Sequence, residues 1–208
     1  DPNSERYIRA LTETVRSRAF FITVRRWTVP FFRATKSTPR HDVRLTASWR
    51  GADWMLRVPI PQRAAPDASD DGHMTVLERS TGCEFDFYRA RKVSGSWYAD
   101  WGNTLRTGGS GVYSHAYSTR GSGFSNLAGL IWPAELRARE IKHALMFAYP
   151  YTSALGAVAP ATETVGQSTR SDALPEGARL QLDPSLNLKS LRLRPYERNP
   201  RTHSPEQI

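Results

Sequence analysis

The sequence predicts an all-β fold, a jelly roll or β-sandwich, with a short N-terminal helix and one further short helix. Three observations carry this. About seven to nine short runs rich in β-branched and aromatic residues are separated by turn residues, without the long amphipathic segments of a helical protein. The clearest pair of runs, MTVLE and EFDFYRAR, is joined by a short STGC turn, a β-hairpin pattern. Six Trp and eight Tyr suit strands better than helices. With 208 residues and 39% hydrophobic content, the chain is long enough for one real core. We expect a single sandwich domain over residues 1–188 and a basic, poorly packed tail over 189–208 that contains Pro195, Pro200 and Pro205.

Each element follows from local pattern. Ser4 precedes a run in which Tyr7, Ile8, Leu11 and Val15 fall at helical spacing, predicting an amphipathic helix over about 5–18. FFITVRRWTVPFFRAT is strand-forming, with Pro30 interrupting it at an edge or bulge. HDVRLTASW alternates cleanly and WMLRVPI is a further strand. After a Pro/Ala/Asp loop comes the hairpin, in which Phe85 and Phe87 point one way and Glu84, Asp86 and Tyr88 the other. SWYADWGN is the next strand, followed by the Gly/Ser-rich connection TLRTGGSGVYSHAYSTRGSGFSN. Pro133 at a first helical position opens the short helix PAELRARE. IKHALMFAYPY is an apolar strand, residues 152–176 are loop, and ARLQLDP alternates as a final strand.

Composition excludes several classes of function. The single Cys83 rules out an internal disulfide and a Cys-based zinc site. The net charge of +9 is uneven. Residues 1–63 hold 13 Arg/Lys against 5 Asp/Glu, whereas residues 64–188 hold 11 against 13. The segment carrying the candidate carboxylates is therefore slightly acidic, and with no helix-turn-helix, RNP-like strand or zinc finger, nucleic acid is a disfavoured partner. No run approaches the roughly 18 apolar residues of a membrane span. The chain opens on Asp-Pro-Asn-Ser without a Met, so the lack of a leader does not argue for the cytoplasm.

The residues that point to chemistry centre on 70–91. Glu84 and Asp86 lie two apart on one strand face, roughly 6–7 Å between Cα atoms, and glycosidic cleavage by retention uses two carboxyl groups about 5–5.5 Å apart. Asp86 is the predicted acid/base and Glu84 the predicted nucleophile, with His73 and Tyr88 assisting. The alternative is two solvated carboxylates on an exposed face. His73, His115 and His143 lack metal-ligand spacing, so neither metal nor other cofactor is expected. Glu163 and Glu176 sit on loops from which they would complete a substrate site, with a structural role, Glu176 paired with Arg179, as the favoured competing reading, and Arg91 would meet an anionic group. Trp97, Trp101 and Trp132 are candidate sugar platforms, with core packing as the competing role. Tyr88, Arg89, Arg91 and His73 also supply the residue types of a lyase acting on uronate polymers.

The Glu84-x-Asp86 pattern resembles the core of laminarinase- and lichenase-type sandwich hydrolases, but Tyr88, Arg89 and Arg91 stand where that motif continues to a third acid. In order and spacing, the blocks DGHMTVLERSTGCEFDFYRAR, RGSGF, LAGLIWPAELRAREIKHALMFAYPY, PATETVGQSTRSDALPEGARLQLDP and LRPYER resemble a widespread family of secreted proteins of actinobacteria and related soil bacteria, over about residues 1–198. The resemblance implies an extracellular β-sandwich of the concanavalin-like glucanase/lectin type. Family members continue past PYER into a helix and further strands, whereas NPRTHSPEQI follows here, which would leave an exposed sheet edge that favours association. Together these readings predict a secreted, carbohydrate-active protein acting on a polysaccharide or oligosaccharide, most simply a glycoside hydrolase. The alternatives are a glycan-binding module without catalysis and a uronate lyase.

Overall fold

The computed structural model describes residues 2–14, 26–48, 53–115 and 117–187. The end of the predicted N-terminal helix (15–18), the apolar run 20–25, Trp49 and the basic tail 189–208 lie outside them. The described chain is mostly strands in two sheets, with two short helices. No helix among the described residues is long and apolar enough to cross a membrane.

Eight strands are present: β1 (Phe31–Ala34), β2 (Arg40–Leu45), β3 (Asp53–Pro59), β4 (Met74–Glu78), β5 (Cys83–Tyr88), β6 (Arg91–Val93), β7 (Ser96–Ala99) and β8 (Trp101–Arg106). One sheet runs β1-β4-β5-β8 and the other β3-β2-β7-β6. Two of the pairings, β1 with β4 and β2 with β7, are parallel; the rest are antiparallel.

The β4–β5 hairpin forms as its sequence pattern predicts. Residues 79–82 make the turn, Gly82 takes a positive φ of 65°, and Thr81 donates its N–H to the Glu78 carbonyl. Strand β5 stops after Tyr88 because Arg89 turns to a left-handed φ of 51°. The SWYADWGN run divides, contrary to its reading as one strand. The chain changes sheet at Asp100, between β7 and β8, and the Asp100 carboxylate ties the crossing together by accepting from Arg91 at 2.9 Å, Arg89 at 3.4 Å and the Thr46 hydroxyl at 3.0 Å.

One apolar cluster draws on both sheets. Met74, Val76 and Phe87 come from the first, and Val43, Leu45, Val58, Trp97 and Ala99 from the second. Full burial of such side chains is worth roughly 1.5–3 kcal/mol each. Close approach of the two sheets depends on Gly102, directly opposite Phe87, where a Cβ would meet the Met55 sulfur at 2.5 Å and the Phe87 ring at 2.9 Å.

Helix α1 (Ser4–Thr14) begins at the expected place, but its packed side is set by Tyr7, Ala10 and Leu11 rather than Ile8, which is exposed. Arg6 holds the Ser171 carbonyl at 2.8 Å, and the Tyr149 hydroxyl reaches the Ala10 carbonyl at 3.4 Å. Helix α2 (Pro133–Ala138) matches its prediction. The Glu135 carboxylate accepts the Trp132 N–H at 2.8 Å, and Arg139 closes the helix in the left-handed region.

Two predicted strands are absent. IKHALMFAYPY beyond α2 and ARLQLDP near residue 180 are irregular, and Leu182 is 67% exposed. An apolar or alternating run becomes a strand only where an edge offers backbone partners. Here the Met146 N–H goes to the Gly129 carbonyl, one contact of a loop against a loop.

Candidate carboxyl site on the outer face of the first sheet

Hairpin register builds the site. With Glu78 opposite Cys83, Thr75 must face Asp86 and Leu77 must face Glu84; on the other side, β8 places Asn103 and Leu105 beside the same two acids. Phe85 and Phe87 turn to the core, so Glu84 and Asp86 share the opposite face.

That face is not solvated. Residues 107–115 and 117–128 fold back across it, held to one another by Tyr113 N–H to the Gly123 carbonyl (2.7 Å) and Ser125 N–H to the Gly111 carbonyl (2.8 Å). Gly123 has a φ of +86° and would bring a Cβ against Thr162, so this fold-back needs glycine there. Asp86 is 0% exposed and Glu84 4%. The reading of two solvated carboxylates is therefore corrected: the Gly/Ser-rich segment is their cover.

Burial obliges partners. Asp86 accepts from the Thr75 hydroxyl at 2.7 Å, the Tyr113 hydroxyl at 3.2 Å and the Asn126 N–H at 2.9 Å. Glu84 accepts one backbone bond, from the Leu127 N–H at 3.2 Å. Arg120 clamps the covering loop through the carbonyls of Asn126 (2.5 Å) and Ala128 (3.4 Å), and its charge lies within reach of both carboxylates.

The electrostatics divide the two acids. Burial pushes the Glu84 carboxyl up to about 8, helped by the Asp86 charge and by the hydrogen bond between them. Burial also raises Asp86, but bonds from Asn126, Thr75, Glu84 and Tyr113 oppose it by favouring the anion. Two such close acids do not both ionise at neutral pH. Donor count decides the assignment: Asp86 carries the charge, and Glu84 keeps the proton. Tyr113, buried beside both, is pushed well above the ordinary phenol range.

Glu84 is the member with an outlet. It lines an open cleft of about 310 Å³ together with Leu105, Arg106, Gly109, Ser125 and Leu127. Asp86 does not line it, so its geometry suits a positioning carboxylate and not the acid/base expected of it. Chemically, the cleft presents one carboxylic acid, able to give a proton or a hydrogen bond to a ligand oxygen, backed by an anion able to take up positive charge.

No protein-family model, no curated protein and no solved structure matches this chain. What the site does must be argued from its own residues.

The other predicted site residues are dispersed. His73 is largely buried, bonds the Thr119 carbonyl through Nε2 at 3.1 Å, and is held below its ordinary range chiefly by burial. Tyr88 lies 5.6 Å from the His73 ring at a tilted angle, with the Arg89 guanidinium over its own ring at 5.4 Å. Trp97 is 3% exposed and, with Trp101, belongs to the core, where the Trp101 indole donates to the Tyr117 carbonyl at 3.2 Å. Trp132 packs edge-on to Phe31 at 5.0 Å. Glu163 accepts the Ser118 N–H at 3.3 Å. Glu176 accepts the Thr152 hydroxyl at 3.1 Å, and burial raises its carboxyl. Arg91 lies on the other sheet. None of these lines the Glu84 cleft.

Thr75, Tyr113, Arg120 and Asn126 are the partners that sequence reasoning missed. Thr75 was readable from the hairpin register alone. Tyr113, Arg120 and Asn126 come from a loop whose fold-back has no local signature. Among the described residues, no group of three or more His, Cys, Asp or Glu is arranged to hold a metal ion.

Proposed function

We propose that this chain is a secreted, carbohydrate-active domain, a β-sandwich of the concanavalin-like type, that acts on a polysaccharide through the Glu84 cleft. Glu84 is the proton donor to a sugar oxygen, and Asp86 is the buried carboxylate that keeps Glu84 protonated and correctly turned. The observation that supports this reading is the pairing itself. An acid that holds its proton near neutral pH on the lining of an open cleft is the device that general acid catalysis requires. Two sheets sharing one core, with loops closing one outer face, support the sandwich assignment.

A second reading, a glycan-binding module without chemistry, is favoured by one specific feature. Cleavage by retention or inversion uses two reachable carboxyl groups, and only Glu84 of the pair reaches the cleft.

A product screen on neutral and uronate polysaccharides separates the readings, with Glu84→Gln alongside the wild type. New reducing ends that disappear in the variant establish a hydrolase. Ultraviolet absorbance accompanying those ends moves the reaction to elimination. No product on any polymer rejects catalysis and leaves the binding module.

A further inference from the structure

The second sheet carries a built surface on its outer side. Val43, Leu45, Trp97 and Ala99 point into the core, so Arg44 and Tyr98 point away from it. Strand register sets Trp54 of β3 beside Arg44 of β2, Arg44 beside Tyr98 of β7, and Tyr98 beside Arg91 of β6. The result is a single row, Trp54–Arg44–Tyr98–Arg91, running across all four strands. Cation and ring alternate along it. The Arg44 guanidinium is 6.0 Å from the Trp54 ring centre, and that of Arg91 is 5.8 Å from the Tyr98 ring centre. Trp54 is 53% exposed, an unusual position for so large an apolar ring. A groove of about 380 Å³ runs alongside, lined by Arg40, His41, Asp42, Arg44, Trp54 and Tyr98, among others.

Charge on the strands of this sheet is one-sided. The strands of this sheet hold Arg40, Arg44, Arg57, Arg91 and Lys92 against Asp42 and Asp53; those of the other sheet hold Arg33 and Arg106 against Glu78, Glu84 and Asp86. Both acids of the basic sheet are engaged by backbone: Asp42 accepts the Arg57 N–H at 2.7 Å and Asp53 the Trp54 N–H at 2.7 Å. Arg91 is fixed by Asp100 and by the Thr46 hydroxyl, both at 2.9 Å, which holds its plane in place beside Tyr98.

We propose that this outer face binds an acidic polysaccharide, a polymer of uronate-type pyranoses laid across the strands. Sugar faces rest on Trp54 and Tyr98, and Arg44 between them takes a ring carboxylate. Two strand spacings put those rings roughly 10 Å apart, the span of a disaccharide, and a planar guanidinium matches a carboxylate in two hydrogen bonds. Nucleic acid fits less well. Its binding rests on neutralising many phosphates, whereas Arg40 is bonded to Glu78 and Arg91 to Asp100, which leaves few cations for a phosphate track. The inference rests on the carbohydrate reading only in the choice of polymer and uses nothing of the Glu84 cleft.

The test is binding of the whole chain to polygalacturonate, a neutral β-glucan and a polythymidylate oligonucleotide, by gel retardation and tryptophan fluorescence. The expected result is binding to polygalacturonate alone, weakened about tenfold by either Trp54→Ala or Arg44→Gln, the effect of losing a central anchor. Both positions are exposed, and circular dichroism verifies that the variants fold. Lys142→Gln, which removes an exposed cation outside this sheet, binds like the wild type. Equal binding of the neutral glucan, tighter binding of the oligonucleotide, no binding at all, or indifference to Arg44→Gln would each overturn the proposal. Loss of binding in Glu84→Gln would move the site to the cleft and overturn it as well. Binding without product leaves this surface standing and the hydrolase reading refuted; product unaffected by Trp54→Ala, with no binding, does the reverse.

Discussion

Replacing Glu84 by Gln tests the proton assignment through stability, independently of any substrate. In the unfolded chain the Glu84 carboxyl ionises near its ordinary value of 4.5, whereas in the fold it keeps its proton to about 8. Between those values the folded state binds more protons, so stability falls as pH rises through that window. Each pH unit of separation is worth roughly 1.4 kcal/mol, which sets a ceiling of about 5 kcal/mol for the span from 4.5 to about 8. Water entering through the open cleft screens the ionised form, and we expect about 2–3 kcal/mol to be measured. The Gln amide keeps a donor toward Asp86 and cannot ionise. The variant should match the wild type within about 1 kcal/mol near pH 5 and exceed it by about 2–3 kcal/mol near pH 9. Urea unfolding followed by tryptophan fluorescence at the two pH values provides the numbers. Identical losses from low to high pH in both proteins would refute the assignment, because some other group would then carry the dependence.

Two further outcomes follow from the same contacts. Tyr113→Phe removes one of the donors to a fully buried carboxylate, and thermal unfolding should show a loss of about 1–3 kcal/mol; no change would mean that the hydroxyl is not a partner of Asp86. Arg40→Ala leaves the buried Glu78 without its cation, and since Arg40 is itself partly exposed, a loss of about 2–4 kcal/mol is expected in urea, partly restored by adding Glu78→Gln; a double variant no more stable than the single one would refute the pairing.

The sequence was most informative where structure is local. Hairpin β4–β5 carries its turn chemistry in four residues and its faces in strict alternation, so Glu84 and Asp86 were placed together from the sequence alone, and α2 was marked by Pro133. Legibility fails where partners are distant. That the face of β5 is covered depends on Tyr113 and Asn126, 27 and 40 residues beyond Asp86, and the loop that brings them has no periodicity to reveal its path. The same limit explains IKHALMFAYPY: its composition suits a strand, but its Met146 N–H bonds the Gly129 carbonyl of a distant loop. Trp97 and Trp101 illustrate the ambiguity of aromatics, since composition does not distinguish a core ring from a platform. Trp54 is an exposed ring, and its position opposite Arg44 becomes visible only with the β2–β3 register.

Carbon-13 NMR of the glutamate carboxyls across pH measures the proton on Glu84 directly, with Glu84→Gln identifying its signal. The account predicts one carboxyl, absent from the variant, that titrates near 8. If that carboxyl instead titrates near 4.5, Glu84 is an ordinary carboxylate at neutral pH, and the cleft has no acid to offer a sugar.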